Sequence, residues 1–130
     1  MITSEEARRI IAAAEQKAQE IGQPMNIAVV DAGRNLKAFS RMEDAWLGSI
    51  AISIDKAFTS ASFTMSTQDL VDLTQPGQPL FGLNTTNEGR IVIFAGGIPL
   101  ERDGEVVGAI GVSGGTVDQE VAEAGVGASQ

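Results

Sequence analysis

The sequence predicts one α+β domain, residues 1–130, in which about five antiparallel strands form a sheet covered by helices. Apolar runs occur in adjacent pairs joined by short polar turns, a pattern that is typical of β-hairpins and therefore of antiparallel pairing. Segments with apolar residues at helical spacing precede, separate and follow these pairs, so helices must cover the sheet. The chain has 130 residues and is 43% hydrophobic, enough for one domain with a substantial core.

The strongest hairpin signal lies between Ile91 and Val112, where two apolar runs flank Asp103 and Gly104. An Asp-Gly pair suits a type I′ turn, because both central residues of that turn have positive φ. The second run, Val106–Val112, is almost wholly apolar, which predicts a strand buried on both faces. In the first run, Gly96-Gly97 interrupts the pattern and indicates a bulge, or a close approach of another backbone or a ligand.

An earlier helix and hairpin are predicted in the first third of the chain. Thr3 and Glu6 have the spacing of a capping box, and the apolar residues that follow predict a helix over about residues 4–21. Met25–Asp31 and Leu36–Arg41 are apolar runs joined by a turn, which predicts a second pair of antiparallel strands.

A long helix is predicted over about residues 45–63, with Asp44 as its cap. One stripe of this helix carries small hydroxyl groups and a lysine: Ser49, Ser53, Lys56 and Ser60. A solvated face is one interpretation. Serines are unusual on a freely solvated helix, however, and the stripe therefore favours contact with a second subunit or a ligand.

The segment from Ser113 to Thr116 is a glycine-rich turn before a final helix. Such a turn can hold an anion at the helix N-terminus. Here Asp118 and Glu120 already occupy the first turn and would repel a phosphate. A plain strand-to-helix turn is therefore the favoured interpretation.

Composition excludes several functions. The net charge of −8 disfavours binding to nucleic acids and to anionic membranes. Cysteine, histidine and tyrosine are absent, which removes disulfides, thiolate or imidazole metal ligands and a Ser-His-Asp triad. No apolar run is long enough for a membrane span. We expect a cytoplasmic protein without a metal site.

Three stretches resemble the GlcG/HbpS family: D-A-G-R-N-L-K-A-F-S-R-M-E-D-A at 31–45, D-K-A-F-T-S-A-S-F at 55–63 and F-A-G-G-I-P-L-E-R-D-G-E-V-V-G-A-I-G-V-S-G-G at 94–115. The ending D-Q-E-V-A-E-A-G at 118–125 also fits, so the resemblance covers nearly the whole chain. It implies a profilin-like fold, usually as a homo-oligomer. Some family members, and the similar C-terminal domain of PduO-type proteins, bind haem, and others lie in catabolic pathways.

The residues of this chain argue against haem as a cofactor. Haem iron usually takes His, Cys, Met or Tyr as an axial ligand, and only methionines are available here. Of these, Met25 and Met42 lie in apolar segments and are predicted to belong to the core. We therefore expect no cofactor, and expect haem binding only through a weak ligand or apolar contact.

The central motifs of the family map onto ten positions of this chain: Asp31, Arg41, Met42, Asp44, Lys56, Gly96, Gly97, Gly114, Gly115 and Asp118. Six of them form the predicted ligand site: Arg41, Met42, Lys56, Gly96, Gly97 and Asp118. Arg41 can clamp a carboxylate through two hydrogen bonds, or can pair with Glu43, Asp44 or a neighbouring subunit. Gly96 and Gly97 can offer backbone amides to an anion, or serve only as bulge glycines.

Lys56 has two interpretations. A desolvated lysine has a lowered pKa and can act as a base or a nucleophile, so Lys56, Asp44 and Arg41 are the candidate catalytic residues. Alternatively, Lys56 is a structural lysine that pairs with Asp31, Asp55 or Asp118.

Three functions are consistent with these residues. The first, which we favour, is a small-molecule-binding protein with a pocket at an oligomer interface near Arg41, Lys56 and Gly96-Gly97. The second is a cofactor-free enzyme in a catabolic pathway that acts on a small organic acid or ketone, with Lys56 or a carboxylate moving the proton. The third is a structural or accessory oligomer, which the scarcity of catalytic residue types suggests.

Overall fold

The computed structural model describes residues 1–130 and contains three α-helices and four strands. In chain order these are α1 (Ser4–Ile21), β1 (Asn26–Asp31), β2 (Leu36–Arg41), α2 (Gly48–Phe63), β3 (Gly97–Arg102), β4 (Glu105–Ser113) and α3 (Asp118–Gly127). Short 3-10 turns occupy parts of the long segment between α2 and β3. None of the helices combines the length and the apolar character needed to cross a bilayer.

The four strands form one antiparallel sheet in the order β2-β1-β4-β3. Helices α1 and α3 pack together on one face, and the main core lies beneath them, with Ile27 and Val29 of β1 and Ile110 of β4 fully buried. On the other face α2 packs against β4 and β1, where Val30, Ala57 and Ala109 form a smaller cluster. The predicted α+β class with antiparallel pairing is confirmed.

The expected number of about five strands is wrong, because the sheet has four. The apolar run that begins at Ile91 does not pair with a strand until Gly96, whose carbonyl accepts the Val112 amide at 2.9 Å. Before that point, the Val92 amide donates to the Thr59 hydroxyl on α2 at 3.0 Å. A side chain of α2 thus replaces the neighbouring strand as the partner of this backbone.

Local signals predicted α1 and the β3–β4 turn correctly. The Thr3 hydroxyl accepts the Glu6 amide and the Glu6 side chain returns to the Thr3 amide, so the capping box is present. In the turn between β3 and β4, Asp103 and Gly104 have φ of 53° and 81°, the positive values that a type I′ turn requires.

The start of α2 differs from the prediction. The helix begins at Gly48, and Asp44 does not cap it but adopts a left-handed conformation with φ of 67°. The buried Asn26 side chain donates to the Trp46 carbonyl at 2.8 Å, and the Ala45 amide closes a turn on the Met42 carbonyl. These bonds hold the segment before Gly48 in turns, so the helix begins at Gly48 rather than at Ala45.

Helix α2 approaches the sheet unusually closely because β4 carries Gly111 beneath it. A Cβ at Gly111 would lie 2.0 Å from the Ser53 carbonyl oxygen and 2.6 Å from the Ala57 amide nitrogen. The stripe of Ser49, Ser53, Lys56 and Ser60 is therefore pressed against the sheet, and all four residues are buried. Neither interpretation of this stripe was correct, since it contacts the chain's own sheet rather than solvent, a ligand or a second subunit.

Candidate functional site

Lys56 lies fully buried at the end of β4, where the two helical layers meet. Its Nζ donates to the Val112 carbonyl at 2.8 Å and to Oδ2 of Asp118 at 2.8 Å. Because α2 supplies Lys56 and α3 supplies Asp118, this ion pair joins the two faces of the sheet. Of the partners considered for a structural lysine, the structure selects Asp118.

Asp118 also fixes the glycine-rich turn that precedes α3. Its Oδ1 accepts the Gly115 amide at 3.0 Å, while Oδ2 accepts Lys56. The carboxylate thereby occupies the place in the turn where an external anion would bind. The turn is a strand-to-helix connection whose own side chain satisfies its backbone.

Gly96 and Gly97 lie directly against Lys56. A Cβ at Gly96 would lie 2.7 Å from Lys56 Nζ, and a Cβ at Gly97 would lie 2.5 Å from the Lys56 carbonyl oxygen. Their amides already have acceptors, since Gly96 donates to Gln119 Oε1 at 3.0 Å and Gly97 donates to Thr67 Oγ1 at 2.9 Å. Only glycine fits at positions 96 and 97, because Lys56 and its helix lie so close to them.

Burial lowers the pKa of Lys56, and the hydrogen bond and charge of Asp118 oppose this effect without cancelling it. The Nζ also lies 4.9 Å from the centroid of the Phe94 ring, which is half-exposed. Phe94 is thus a partly exposed side chain in direct contact with the buried amine. A lysine with a lowered pKa loses its proton at a lower pH than a solvated lysine, so its neutral amine is more available to act as a base.

Arg41, Met42 and Asp44 lie elsewhere on the molecule. Arg41 ends β2 and Gly97 begins β3, the two edge strands, so three interstrand spacings of about 4.8 Å each separate them. Arg41 forms no ion pair within the chain, and it lines a separate shallow hollow with Met42 beside α1. One subunit brings Lys56, Gly96, Gly97 and Asp118 together but does not bring Arg41, Met42 or Asp44 to them.

The outward side of α2 and of the turn before it carries exposed apolar residues. Since the serines face the sheet, Leu47 and Trp46 point away from it and are 71% and 64% exposed. We define the apolar patch as Trp46, Leu47 and Ala51, which are exposed, together with Ile50 and Ile54, which are partly exposed. The four positions 47, 50, 51 and 54 follow the i, i+3, i+4, i+7 spacing of one helix face. A monomeric protein rarely leaves the apolar side of a helix uncovered.

A hollow of about 320 Å³ lies next to the apolar patch, between α2 and the segment that leads to β3. We call it the α2 hollow. Its wall is mainly apolar and includes Ala51, Ile52, Asp55, Asn84, Ile91 and Phe94. Ala51 belongs to both the patch and the hollow, so the two features form one continuous surface. A mainly apolar concavity with a few polar groups is the usual form of a small-molecule site.

Two arginines gather around Phe58 beside this hollow. The guanidinium of Arg90 lies 3.8 Å from the ring centroid and that of Arg34 lies 5.0 Å from it. Arg90 also pairs with Asp55, with Nε at 2.9 Å from Oδ1. Sequence reasoning missed this group because its members come from a turn, a helix and an irregular segment. No local pattern connects them.

The fold and the site define a small α+β domain with a four-stranded antiparallel sheet, a lysine buried at one end of it and an apolar hollow beside the middle helix. The chain belongs to the HbpS-like family, because residues 2–127 match the family model described as haem degrading protein HbpS-like. The resemblance to the GlcG/HbpS family is confirmed.

Relatives and solved structures agree with this family. A 15.0 kDa protein encoded between dhaT and dhaS in Citrobacter freundii is 46% identical over 119 residues, which cover 92% of this chain and 84% of the relative. The crystal structure of Klebsiella pneumoniae ORFY superposes with a TM-score of 0.96 at 42% identity, over 98% of this chain and 90% of that one. The PduOC–haem complex gives a TM-score of 0.94 at 34% identity, over 98% of this chain and 94% of that one.

Proposed function

We propose that this protein binds a small organic molecule in the α2 hollow, and that a second copy of the chain covers the apolar patch and completes the site. The observation that carries this proposal is the orientation of α2. The helix buries its serines and its lysine against the sheet, and turns its apolar side outward beside a concavity. Exposed apolar surface of this kind marks a ligand or protein interface.

The size and lining of the α2 hollow support a small ligand. Its volume of about 320 Å³ lies at the lower end of the 300–1,000 Å³ that is usual for small-molecule sites. Phe94 and Ile91 supply apolar contact, and Asp55 and Asn84 supply polar groups that can orient a ligand. A second subunit seated on Leu47 and Trp46 would deepen the hollow at the Ala51 side.

Haem is the ligand that the PduOC–haem complex suggests, and the α2 hollow lacks the usual donors for its iron. The chain has no His, Cys or Tyr, and Met25 is fully buried in the core. None of the four methionines lines the α2 hollow. We therefore propose that any tetrapyrrole bound there is held by apolar contact and shape.

Ligand-dependent thermal shifts test the proposal, with haemin, protoporphyrin IX and a panel of small carboxylic and keto acids as the probes. Ala51→Trp fills the hollow from an exposed position, and Ala12→Trp places the same side chain on an exposed site of α1. We expect at least one probe to raise the melting temperature of the wild type and of Ala12→Trp, and to leave that of Ala51→Trp unchanged. Equal shifts in all three proteins, or no shift with any probe, would contradict a ligand site in the α2 hollow.

The second candidate is an enzyme that uses Lys56 on a small organic acid or ketone. The observation in its favour is the lowered pKa of Lys56, together with the 4.9 Å between Nζ and the Phe94 ring that lines the hollow. Such a reaction requires Phe94 to move, because Lys56 is fully buried. If the Lys56→Met variant folds and retains full turnover of a substrate found by screening, this lysine has no part in the mechanism.

A further inference from the structure

We infer that Arg34 and Arg90, gathered around Phe58, recognise a carboxylate on the ligand that occupies the α2 hollow. The inference rests on the proposed function and names the class of ligand: an apolar molecule that carries a carboxylate. A guanidinium stacked on an aromatic ring keeps its in-plane N–H groups available, and their geometry matches the two oxygens of a carboxylate.

Arg90 is held beside the α2 hollow. Its guanidinium lies 3.8 Å from the Phe58 ring centroid, within the range of a cation–π contact, and its Nε is 2.9 Å from Asp55 Oδ1. Asp55 lines the hollow, as do Gly89 and Ile91 on either side of Arg90. The ion pair uses Nε and leaves the terminal Nη groups without a hydrogen bond inside the chain.

Arg34 has no anionic partner in this chain. Its side chain forms no ion pair and no hydrogen bond, and its guanidinium lies 5.0 Å from the same ring. The turn that carries it is well defined, because Asp31 Oδ1 accepts the amides of Gly33 and Asn35 at 2.9 Å each. Arg34 is therefore held near Phe58 by a fixed turn rather than by an acceptor of its own.

The two arginines near Phe58 have one carboxylate partner between them. Both guanidinium groups lie within 5.0 Å of the centroid of the same ring, and Asp55 pairs with Arg90. Arg34 is exposed and has no ion-pair partner. A ligand carboxylate close to this ring would be attracted to both guanidinium groups.

A pair of probes with and without the negative charge tests this inference. The probes are 2-naphthoate and its neutral methyl ester, whose ring system is the same, titrated calorimetrically into the purified full chain. The variant is Arg34→Gln, and the control is Arg8→Gln, because Arg8 is also exposed and has no ion pair. Circular dichroism verifies that both variants fold.

We expect the wild type and Arg8→Gln to bind 2-naphthoate more tightly than the ester. We expect Arg34→Gln to lose about tenfold in affinity for 2-naphthoate, and to bind the ester unchanged. Equal affinity for acid and ester in the wild type, or equal losses for both probes in Arg34→Gln, would overturn the carboxylate site and leave the hollow as a ligand site. Binding of neither probe to the wild type would overturn the inference, and a failed ligand screen would independently remove the hollow as a site.

Discussion

Nζ of Lys56 lies 2.8 Å from Oδ2 of Asp118, and the two residues come from helices on opposite faces of the sheet. Both side chains are almost fully buried, so water cannot solvate either charge if the partner residue is removed. The Val112 carbonyl and the Gly115 amide complete the hydrogen bonds of the pair. A buried pair of this kind fixes how the two layers meet more than it adds net stability.

Removal of one partner should be costly. Lys56→Met leaves the Asp118 carboxylate buried without a counter-charge, and we expect the free energy of unfolding to fall by about 3 kcal/mol. The double variant with Asp118→Asn should be less destabilised than the sum of the two single variants, because the unpaired charge is gone. Urea unfolding of all four proteins measures the coupling. Strict additivity would show that the two side chains do not interact.

The stability of the protein should depend on Lys56 at alkaline pH. Burial lowers its pKa from the ordinary value of 10.5, so above the folded-state pKa the folded chain binds fewer protons here than the unfolded chain. The contribution of Lys56 to the free energy of unfolding should therefore rise with pH until 10.5, and fall as pH decreases through the folded-state pKa.

Comparison of the wild type with Lys56→Met isolates this effect, because every other titratable group is common to the two proteins. We expect the stability difference between the two proteins to change between pH 8 and pH 10.5 in favour of the wild type. A constant difference across this interval would mean that burial does not lower the pKa of Lys56.

The close contact between α2 and β4 should make Gly111 intolerant of any side chain. A Cβ there would lie 2.0 Å from the Ser53 carbonyl oxygen, a backbone atom that cannot move without its helix. We expect Gly111→Ala to lower the free energy of unfolding by about 3 kcal/mol. Gly48→Ala is the control: no atom lies within 4 Å of its Cβ position, and we expect it to stabilise α2 by about 0.5 kcal/mol. Thermal unfolding of both variants decides the comparison.

The apolar patch should mediate self-association. Leu47 is 71% exposed at the start of α2, and Leu47→Glu places a charge on the patch without disturbing the core. We expect this variant to have a smaller mass in solution than the wild type, as measured by light scattering after gel filtration. Leu36→Glu, at a 49% exposed site on β2, should leave the mass unchanged. If Leu47→Glu keeps the mass of the wild type, the patch is not the contact between subunits.

Iron should contribute little to the binding of a porphyrin, because no His, Cys, Met or Tyr lines the α2 hollow to serve as an axial ligand. We expect haemin and metal-free protoporphyrin IX to bind with dissociation constants that agree within about threefold. Trp46 is the only tryptophan and lies on the apolar patch, so quenching of its fluorescence reports binding directly. Much tighter binding of haemin would indicate an iron ligand, and Met42→Leu and Met65→Leu would then identify it.

Local signals in the sequence were sufficient for most of the elements. The capping box of Thr3 and Glu6 predicted the start of α1, and the Asp103-Gly104 pair predicted a type I′ turn, because these interactions lie within a few residues of each other. The strand expected to begin at Ile91 begins only at Gly97. Its apolar pattern fits a strand, but the Thr59 hydroxyl of α2 takes the place of a neighbouring strand.

The candidate site was predictable only in part. The importance of Lys56 and its proximity to Gly96, Gly97 and Asp118 were anticipated from the family resemblance, and the structure brings these residues together. The position of Arg41 was not anticipated, because the order of strands places β2, which carries Arg41, at the edge of the sheet opposite to β3. The α2 hollow and the group around Phe58 were not anticipated at all.

Patterns along the chain were enough to predict the α+β class, the bounds of α1, both hairpins and the family. They could not predict which side of α2 faces the sheet, because that depends on Gly111, a residue far along the chain whose missing side chain lets the serine-lined side come close. Lys56 and Asp118 are 62 positions apart, and the packing of two helices across one sheet determines which of the three candidate carboxylates Lys56 pairs with. Periodicity in a sequence reports that a helix has two different sides, and the shape of the partner surface determines which of them is buried.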